Sequence, residues 1–214
     1  MNIWFASNNA HKKEELQAIL GRSLKIPAVE GLKFDPEEIG NTFCDNALLK
    51  ARELKKLLGN NGDLIIADDS GLCVDALDGR PGVQSAYYGE SAGVKLSSRE
   101  KYSLLLEELQ RKSELGETPS RTARFVCTMV LLFDHDRFII VQETLEGEIV
   151  KDANLARGKG GFGYDPIFYI PELGRTLAEL SAEEKNTLSH RGKAGRQIAE
   201  ILARLCLGVN CGQG

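Results

Sequence analysis

Residues 64–71 read Leu-Ile-Ile-Ala-Asp-Asp-Ser-Gly, an apolar run that ends abruptly in two carboxylates, a hydroxyl and a glycine. An apolar run of this length is typical of a buried strand, so we expect a strand over Leu64–Ala67 that ends before the acids. In α/β folds the ends of such strands usually carry the functional site. Two adjacent carboxylates there cost desolvation and mutual repulsion, which a bound cation would offset. The alternative is a tight Asx turn leaving the strand, although one aspartate would suffice for it.

Helix and strand signals alternate before this run. Asn2–Ala6 is predicted to form a strand, and an amphipathic helix is expected after it. Thr42 is positioned to cap a second helix, with Asp45 at the capping-box distance. In that helix Asn46 and Lys50 are four residues apart and therefore share a face. Both element types are thus expected in the same domain.

The second half of the chain adds a hairpin and a long final helix. The sequence alternates along two segments that are rich in strand-favouring residues, Arg124–Phe133 and Arg137–Thr144. These segments are predicted to pair as a hairpin. A helix is expected from Gly192 onward, and residues 208–214 are expected to be a frayed tail. The mixture of helices, strands and a hairpin predicts an α/β fold whose sheet is not all parallel.

The composition is that of an ordinary globular protein. The 214 residues are 42% hydrophobic and 27% charged, with a net charge of −4, and the length suffices for one sizeable core. The acidic balance argues against a nonspecific nucleic-acid binder, whereas a small phosphorylated substrate is compatible with it because positive charge can be local. Neither a signal peptide nor a membrane-spanning run is expected.

The five cysteines carry no signature of a metal site. They form no Cys-x-x-Cys pair, and Cys44, Cys73 and Cys127 lie in apolar surroundings that favour buried thiols. This cysteine usage predicts the reducing cytoplasm. The sequence indicates no role for Cys206 and Cys211.

A polar loop, Ser7-Asn8-Asn9-Ala10-His11-Lys12, separates the first strand from the first helix. Free amides at a helix start attract anions, and a lysine adds a full positive charge, so the loop suits phosphate. The alternative is an ordinary polar N-cap loop. It is not a Walker A loop, because the glycines and the Gly-Lys-Ser/Thr ending are absent.

Acidic residues near the second helix and after the apolar run are candidates for metal binding and catalysis. Magnesium prefers oxygen ligands and is typically held by one or two carboxylates together with substrate phosphates. Asp68 and Asp69 fit that chemistry, and either could instead polarise a water as a general base. The helix dipole alone would favour an acid at position 38, near the start of the second helix. Glu38 therefore becomes a functional candidate only if its side chain lies close to Asp68 and Asp69.

Two later segments also carry candidate binding groups. Gly158–Pro166 contains G-x-G-x-x-G, but Pro166 biases Asp165 away from a helix, which excludes a dinucleotide-binding turn. Its glycines either let the backbone approach a flat or charged ligand beside Phe162 or simply form a glycine-rich hairpin loop. Lys185 and Arg191 offer only donors, suited to phosphate or keto oxygens, unless they are solvated surface residues.

These segments occur together and in a fixed order along the chain. In this combination the chain resembles the inosine triphosphate pyrophosphatase family, the non-canonical purine NTP diphosphatases. The resemblance covers nearly the whole chain. It rests on Ser7–Lys12, Glu38–Phe43, Ala67–Leu72, Gly79–Gly82, Gly160–Pro166 and Ser189–Arg191.

The resemblance implies a long mixed β-sheet flanked by helices, in one domain over residues 1–207 with two lobes and a central substrate cleft. It implies a magnesium-dependent, cytoplasmic homodimer that binds neither nucleic acid nor membrane. The implied reaction hydrolyses ITP, dITP and XTP to the monophosphate and pyrophosphate, which cleanses the nucleotide pool. The alternatives are a pyrophosphatase for modified pyrimidine nucleotides and a nonenzymatic nucleotide sensor.

The resemblance also assigns roles to individual residues. Asp69 matches the general base and a metal ligand, and Glu38 and Asp68 match further metal-associated acids. The residues that match substrate-binding positions are Ser7, Asn8, Asn9, Ala10, His11, Lys12, Lys50, Ser70, Phe162, Gly163, Tyr164, Asp165, Lys185, His190 and Arg191. Tyr87 stands where relatives often carry an arginine, so a phosphate or dimer contact through that position is not carried over.

Overall fold

The computed structural model describes residues 2–59, 61–91, 93–116 and 118–209, the side chains of 206–209 excepted. The strands are β1 (Ile3–Phe5), β2 (Leu64–Val74), β3 (Thr122–Leu132), β4 (Phe138–Ile149), β5 (Phe168–Ile170) and β6 (Arg175–Thr176). The α-helices are α1 (Ala10–Leu20), α2 (Phe43–Leu58), α3 (Ser98–Glu114), α4 (Ala182–Leu188) and α5 (His190–Val209). Short 3-10 turns connect several of them.

The strands form one mixed sheet in the order β1-β2-β3-β4-β5-β6. β1 pairs with β2 in parallel, with Ile3 opposite Leu64. β5 pairs antiparallel with both β4 and β6. The predicted hairpin is confirmed, since β3 and β4 are neighbours and the Phe133 amide donates to the Arg137 carbonyl at 2.9 Å. The predicted mixed α/β architecture is therefore confirmed.

Strand β2 does not end at the acids. The expectation of a strand confined to Leu64–Ala67 is wrong, because β2 continues through Asp68 and Asp69 to Val74. Successive side chains of a strand point to opposite faces, so each acid can meet its own set of cations. Those cations, described below, allow charge within a buried strand.

The alternation along β2 sorts its residues between two apolar clusters. Leu64 and Ile66 pack in a cluster with residues of α1 and α5. Ile65 and Ala67 pack in another cluster with residues of α2. By the same period of two, Asp68 belongs to the face of α1 and α5, and Asp69 belongs to the face of α2.

The chain divides into two compact units. The first unit comprises Met1–Asp69, Cys127–Glu143 and Ser189–Gly214, and the second comprises Ser70–Val126 and Thr144–Leu188. Both clusters just described form the core of the first unit. The second unit has its own core, in which the rings of Phe125 and Phe168 lie 4.7 Å apart between centroids.

Side chains cap the starts of α2 and α3, and the cap predicted at Thr42 is confirmed. The Thr42 hydroxyl accepts from the Asp45 amide at 3.1 Å, at the start of α2. Ser97 and Glu100 form a complete capping box at the start of α3. At the other end of the chain Gly208 and Val209 belong to α5, and the rest of the predicted tail, 210–214, lies outside the described residues.

The cysteine environments differ from the expectation. Cys127 is buried as predicted, but Cys44 and Cys73 are only half-buried. The side chains of Cys206 and Cys211 are outside the described part of the chain. Among the described residues, no helix has the length and apolarity needed to cross a membrane.

Candidate active site

Asp69 is held from α2 through both of its oxygens. Its Oδ1 accepts from Lys50 Nζ at 2.8 Å, and its Oδ2 accepts from Asn46 Nδ2 at 3.2 Å. Asn46 and Lys50 lie one turn apart on α2, as their spacing predicts. All three side chains are buried, so the carboxylate sits in a preformed polar setting.

Glu38 reaches the same cation. Its Oε1 accepts from Lys50 Nζ at 3.2 Å, so the carboxylates of Glu38 and Asp69 converge on one ammonium. The condition under which Glu38 becomes a functional candidate is therefore met. Burial lowers the pKa of Lys50, but the charges of Asp69, Asp68 and Glu38 raise it more, and the net shift is upward. Lys50 thus stays charged.

Asp68 has a different environment. It is fully buried, with Oδ1 accepting from Lys12 Nζ at 3.1 Å and Oδ2 accepting from Arg191 Nη2 at 3.1 Å. Arg191 in turn donates to Glu15 Oε2 at 2.7 Å. Burial raises the pKa of Asp68, but the charges of Lys12 and Arg191 lower it more, so the pKa lies well below its ordinary value. Asp68 is therefore favoured as the anion within an ion-paired network.

The two adjacent acids thus differ in their protonation behaviour. Burial raises the pKa of Asp69, and the opposing effect of Lys50 does not cancel it, so the net shift is upward. Asp68 binds two cations tightly, whereas Asp69 shares one cation with Glu38. Of the pair, Asp69 is the acid whose surroundings favour accepting a proton.

The polar loop before α1 is an N-cap that also presents a lysine. The Asn9 side chain accepts from the Lys12 amide at 3.1 Å, and the Ser7 hydroxyl accepts from the Asn9 amide at 3.2 Å. Asn8 Nδ2 donates to the Phe34 carbonyl at 2.5 Å. The N-cap interpretation of the loop is confirmed. Lys12 reaches Asp68, and the phosphate-binding role of the loop stays a prediction.

A second polar cluster lies in the second unit. Asp165 Oδ2 accepts from the Phe162 amide and from Lys185 Nζ, both at 2.8 Å. The ammonium of Lys185 lies 4.8 Å from the Phe162 ring centroid, a cation–π geometry. A Cβ at Gly161 would lie 2.0 Å from Asp165 Oδ2, and its φ is +70°, so glycine is required where the loop curls around this carboxylate.

The segment after the glycines is not a dinucleotide-binding turn. A single 3-10 turn, Asp165–Ile167, follows the loop instead of a long helix. Tyr164 is buried and its hydroxyl donates to the Ser85 carbonyl at 3.0 Å. This residue therefore anchors the loop within the second unit.

The structure distributes the predicted site residues between the two units. The first unit holds Ser7, Asn8, Asn9, Ala10, His11, Lys12, Glu38, Lys50, Asp68, Asp69, His190 and Arg191. The second unit holds Ser70, Phe162, Gly163, Tyr164, Asp165 and Lys185, together with the exposed Tyr87. Within the first unit, ion pairs form two networks. One joins Asp68 to Lys12 and Arg191, and the other joins Lys50 to Glu38 and Asp69.

Sequence reasoning missed two members of these networks. Asn46 binds Asp69, and its spacing from Lys50 was the available signal. Glu15 binds Arg191 and follows Lys12 by three residues on α1, but a glutamate on a helix surface is too common to stand out. Within the described residues, no group of three or more His, Cys, Asp or Glu side chains is arranged to hold a metal ion.

Comparison with known proteins identifies the family. A sequence profile of the Ham1 family matches residues 3–201. The chain belongs to the Ham1 family. A dITP/XTP pyrophosphatase from Treponema denticola is 46% identical over 203 residues, which cover 94% of this chain and 98% of that protein. A dITP/XTP pyrophosphatase from Clostridium perfringens is 39% identical and is covered to 95% of its length.

Solved Ham1 structures share the fold. A HAM1 protein from Coxiella burnetii superposes with a TM-score of 0.80 at 38% identity, over 95% of this chain and 99% of the other. The Ham1 protein of Staphylococcus aureus gives a TM-score of 0.76 at 35% identity, over 95% and 98% of the two chains. The resemblance drawn from the ordered motifs is therefore confirmed at the level of family and fold.

Proposed function

We propose that this Ham1-family chain is a nucleoside-triphosphate diphosphatase that converts ITP, dITP and XTP to the monophosphate and pyrophosphate. The observation that carries the proposal is the convergence of Glu38 and Asp69 on Lys50, next to the Asp68 network. Relatives with the same near full-length match bear the name dITP/XTP pyrophosphatase. Carboxylates and lysines in one cluster supply the groups that hydrolysis of a phosphoanhydride requires.

The donor set suits magnesium as cofactor. Magnesium needs one or two carboxylates and takes its remaining ligands from water and substrate phosphates, so a third protein carboxylate is unnecessary. Glu38 and Asp69 are the residues that would hold it, because their oxygens already converge on a cation. When bound, magnesium offsets the negative charge of the triphosphate. Asp68 is the less suited ligand, since Lys12 and Arg191 already engage both of its oxygens.

Asp69 is proposed to orient the attacking water and to take its proton. Each of its oxygens accepts one described hydrogen bond, so lone pairs remain for a water. Lys50 and Lys12 are proposed to offset phosphate charge. The bond between the α- and β-phosphates breaks, the water oxygen ends on a product phosphate, and pyrophosphate leaves.

Base selection is proposed to depend on donors and a ring face. Inosine and xanthine carry a 6-keto acceptor, which Lys185 or Arg191 could bind, while Phe162 offers a stacking surface. Adenine presents an amino donor instead, and each buried donor left unpaired costs about 1–3 kcal/mol. Ser7, Asn8, Asn9, Ala10, His11, Ser70, Gly163, Tyr164, Asp165 and His190 are kept as further substrate-binding proposals.

Three further properties are part of the proposal. The chain is proposed to act as a homodimer, in the cytoplasm, with residues 1–207 as one two-lobed domain and a substrate cleft. The profile match over residues 3–201 supports the single domain. The family resemblance supports the dimer and the compartment.

A pyrophosphate-release assay with and without magnesium tests the function. The panel is ITP, dITP, XTP, GTP, ATP, dUTP and a modified UTP, and we expect release from the first three. Asp69→Asn is expected to lower kcat by a factor on the order of 10² or more, the scale of general-base loss. Glu53→Gln, on the exposed side of α2, is the control and is expected to retain turnover.

Other outcomes of that assay would replace the proposal. Preferred release from dUTP or modified UTP would make the protein a pyrimidine-nucleotide pyrophosphatase. Binding of ITP without release of pyrophosphate would make it a sensor. Near-normal turnover of Asp69→Asn would remove the general-base role.

A further inference from the structure

Asn46 connects the candidate base to the loop that carries Glu38. It is 1% exposed and lies in the first turn of α2. Its Oδ1 accepts from the Gly40 amide at 2.8 Å, and its Nδ2 donates to Asp69 Oδ2 at 3.2 Å. One side-chain amide therefore holds both the loop and the carboxylate.

The orientation of this amide is determined by its neighbours. The backbone N–H of Gly40 can only donate, so it must face the oxygen of Asn46. The NH2 group then necessarily faces Asp69, whose ionised carboxylate can only accept. A flipped amide would lose both hydrogen bonds, which fixes one arrangement.

The contact between Gly40 and Asn46 is tight. A Cβ at position 40 would lie 2.6 Å from Asn46 Oδ1 and 2.7 Å from Asp45 Cβ. Only glycine lets the loop approach α2 this closely. Glu38, which accepts from Lys50, lies two residues earlier in this loop.

We propose that Asn46 is a positioning residue that fixes the orientation of the Asp69 carboxylate. The inference rests on the proposed role of Asp69. Lys50 holds Oδ1 of that carboxylate, and Asn46 holds Oδ2, so loss of Asn46 leaves one restraint and frees rotation of the group. Small displacements of a reacting group cost up to about 10²-fold in rate.

The chain contains a matched control for this interaction. Asn61 Oδ1 accepts from the Asp63 amide at 3.1 Å, and Asn61 Nδ2 donates to Asp63 Oδ2 at 3.1 Å. Asn61 thus makes the same two kinds of hydrogen bond, from a backbone amide and to an aspartate, at an exposed position whose described partner is Asp63. Its removal tests what such an asparagine contributes to stability alone.

The experiment measures kcat, KM and urea unfolding for Asn46→Ala, Asn46→Asp, Asn61→Ala and Asp69→Asn, with ITP and magnesium. Asn46→Ala is expected to lower kcat by about 10- to 100-fold while KM changes less than about threefold. Asn46→Asp keeps the acceptor for Gly40 and the side-chain volume, but it replaces the donor with a carboxylate oxygen that repels Asp69, so its kcat is expected to fall at least as far. Asn61→Ala is expected to keep wild-type kcat.

A double variant distinguishes a positioning role of Asn46 from a merely structural one. If Asn46 acts through Asp69, Asn46→Ala combined with Asp69→Asn turns over no more slowly than Asp69→Asn alone. Multiplicative losses in the double variant, or wild-type kcat in both folded Asn46 variants, would overturn the inference. Failure of the proposed function is distinguishable, because then the wild-type protein itself releases no pyrophosphate from ITP. Failure of the base role is also distinct, because then Asp69→Asn keeps its turnover.

Discussion

At the scale of single residues, the adjacent acids of β2 show what a sequence pattern predicts and what it leaves open. Two carboxylates directly after an apolar run indicated that Asp68 and Asp69 are functional candidates. Their difference was not, because the partners of Asp68 lie 56 and 123 positions away, at Lys12 and Arg191. Only the fold brings such distant cations to one carboxylate.

Asp68→Asn is expected to destabilise the protein strongly. It leaves two cations, of which Arg191 is 2% exposed, without their common anion. Removing one partner of a buried ion pair costs about 3–5 kcal/mol, which urea unfolding would measure. Glu53→Gln breaks an exposed pair with Lys56 and is expected to change stability by less than about 1 kcal/mol. Equal losses in the two variants would contradict the structural role of Asp68.

At the scale of elements, local signals predicted helices better than strand ends. The cap at Thr42 and the shared face of Asn46 and Lys50 on α2 depend on residues a few positions apart, so they could be identified without the fold. The end of β2 was misplaced because charged residues normally stop a buried strand. Tertiary partners on α1, α2 and α5 reverse that preference, and these partners are invisible in the local sequence.

The caps give a prediction at this scale. Thr42→Ala removes the acceptor of the Asp45 amide at the start of α2, and Ser97→Ala removes the corresponding acceptor of the Glu100 amide at α3. Each is expected to cost about 1 kcal/mol of unfolding free energy. Thr42→Ser and Ser97→Thr keep the hydroxyl and are expected to recover most of it. Denaturation midpoints unchanged in the alanine variants would show that these caps do not contribute.

At the scale of the whole molecule, the order of the motifs predicted the family, while the networks within each unit required the structure. The sequence offered Arg191 as a donor to a substrate keto oxygen, yet the structure places its guanidinium on Asp68 and Glu15. Its substrate role stays a prediction. Lys185 likewise binds Asp165 in the second unit. Such pairings between distant segments depend on the folded topology and leave no local pattern.

Stability in acid is a property of both units together. In the second unit, hydrogen bonds from Arg175 and then from the Ser181 amide lower the pKa of Glu184 to about 2. In the first unit, burial raises the pKa of Asp63, but bonds from the Asn2 amide and the Trp4 indole lower it more. Asp69 has the opposite effect on stability, because its pKa is raised and its protonation in acid therefore favours the folded state.

The sign of the pH dependence follows from these shifts. A carboxyl group whose pKa is lower in the folded state binds fewer protons there than in the unfolded chain, so stability rises with pH. Its contribution is complete above the ordinary pKa of about 4 and is lost as the pH falls through the folded value, which is about 2 for Glu184. The unfolding free energy is therefore expected to fall between about pH 5 and pH 2.

Glu184→Gln and Asp63→Asn are each expected to flatten this dependence, measured by urea unfolding at several pH values. Wild-type slopes in both variants would show that other carboxyl groups set the acid limit, whereas flattening by only one would assign that limit to its unit.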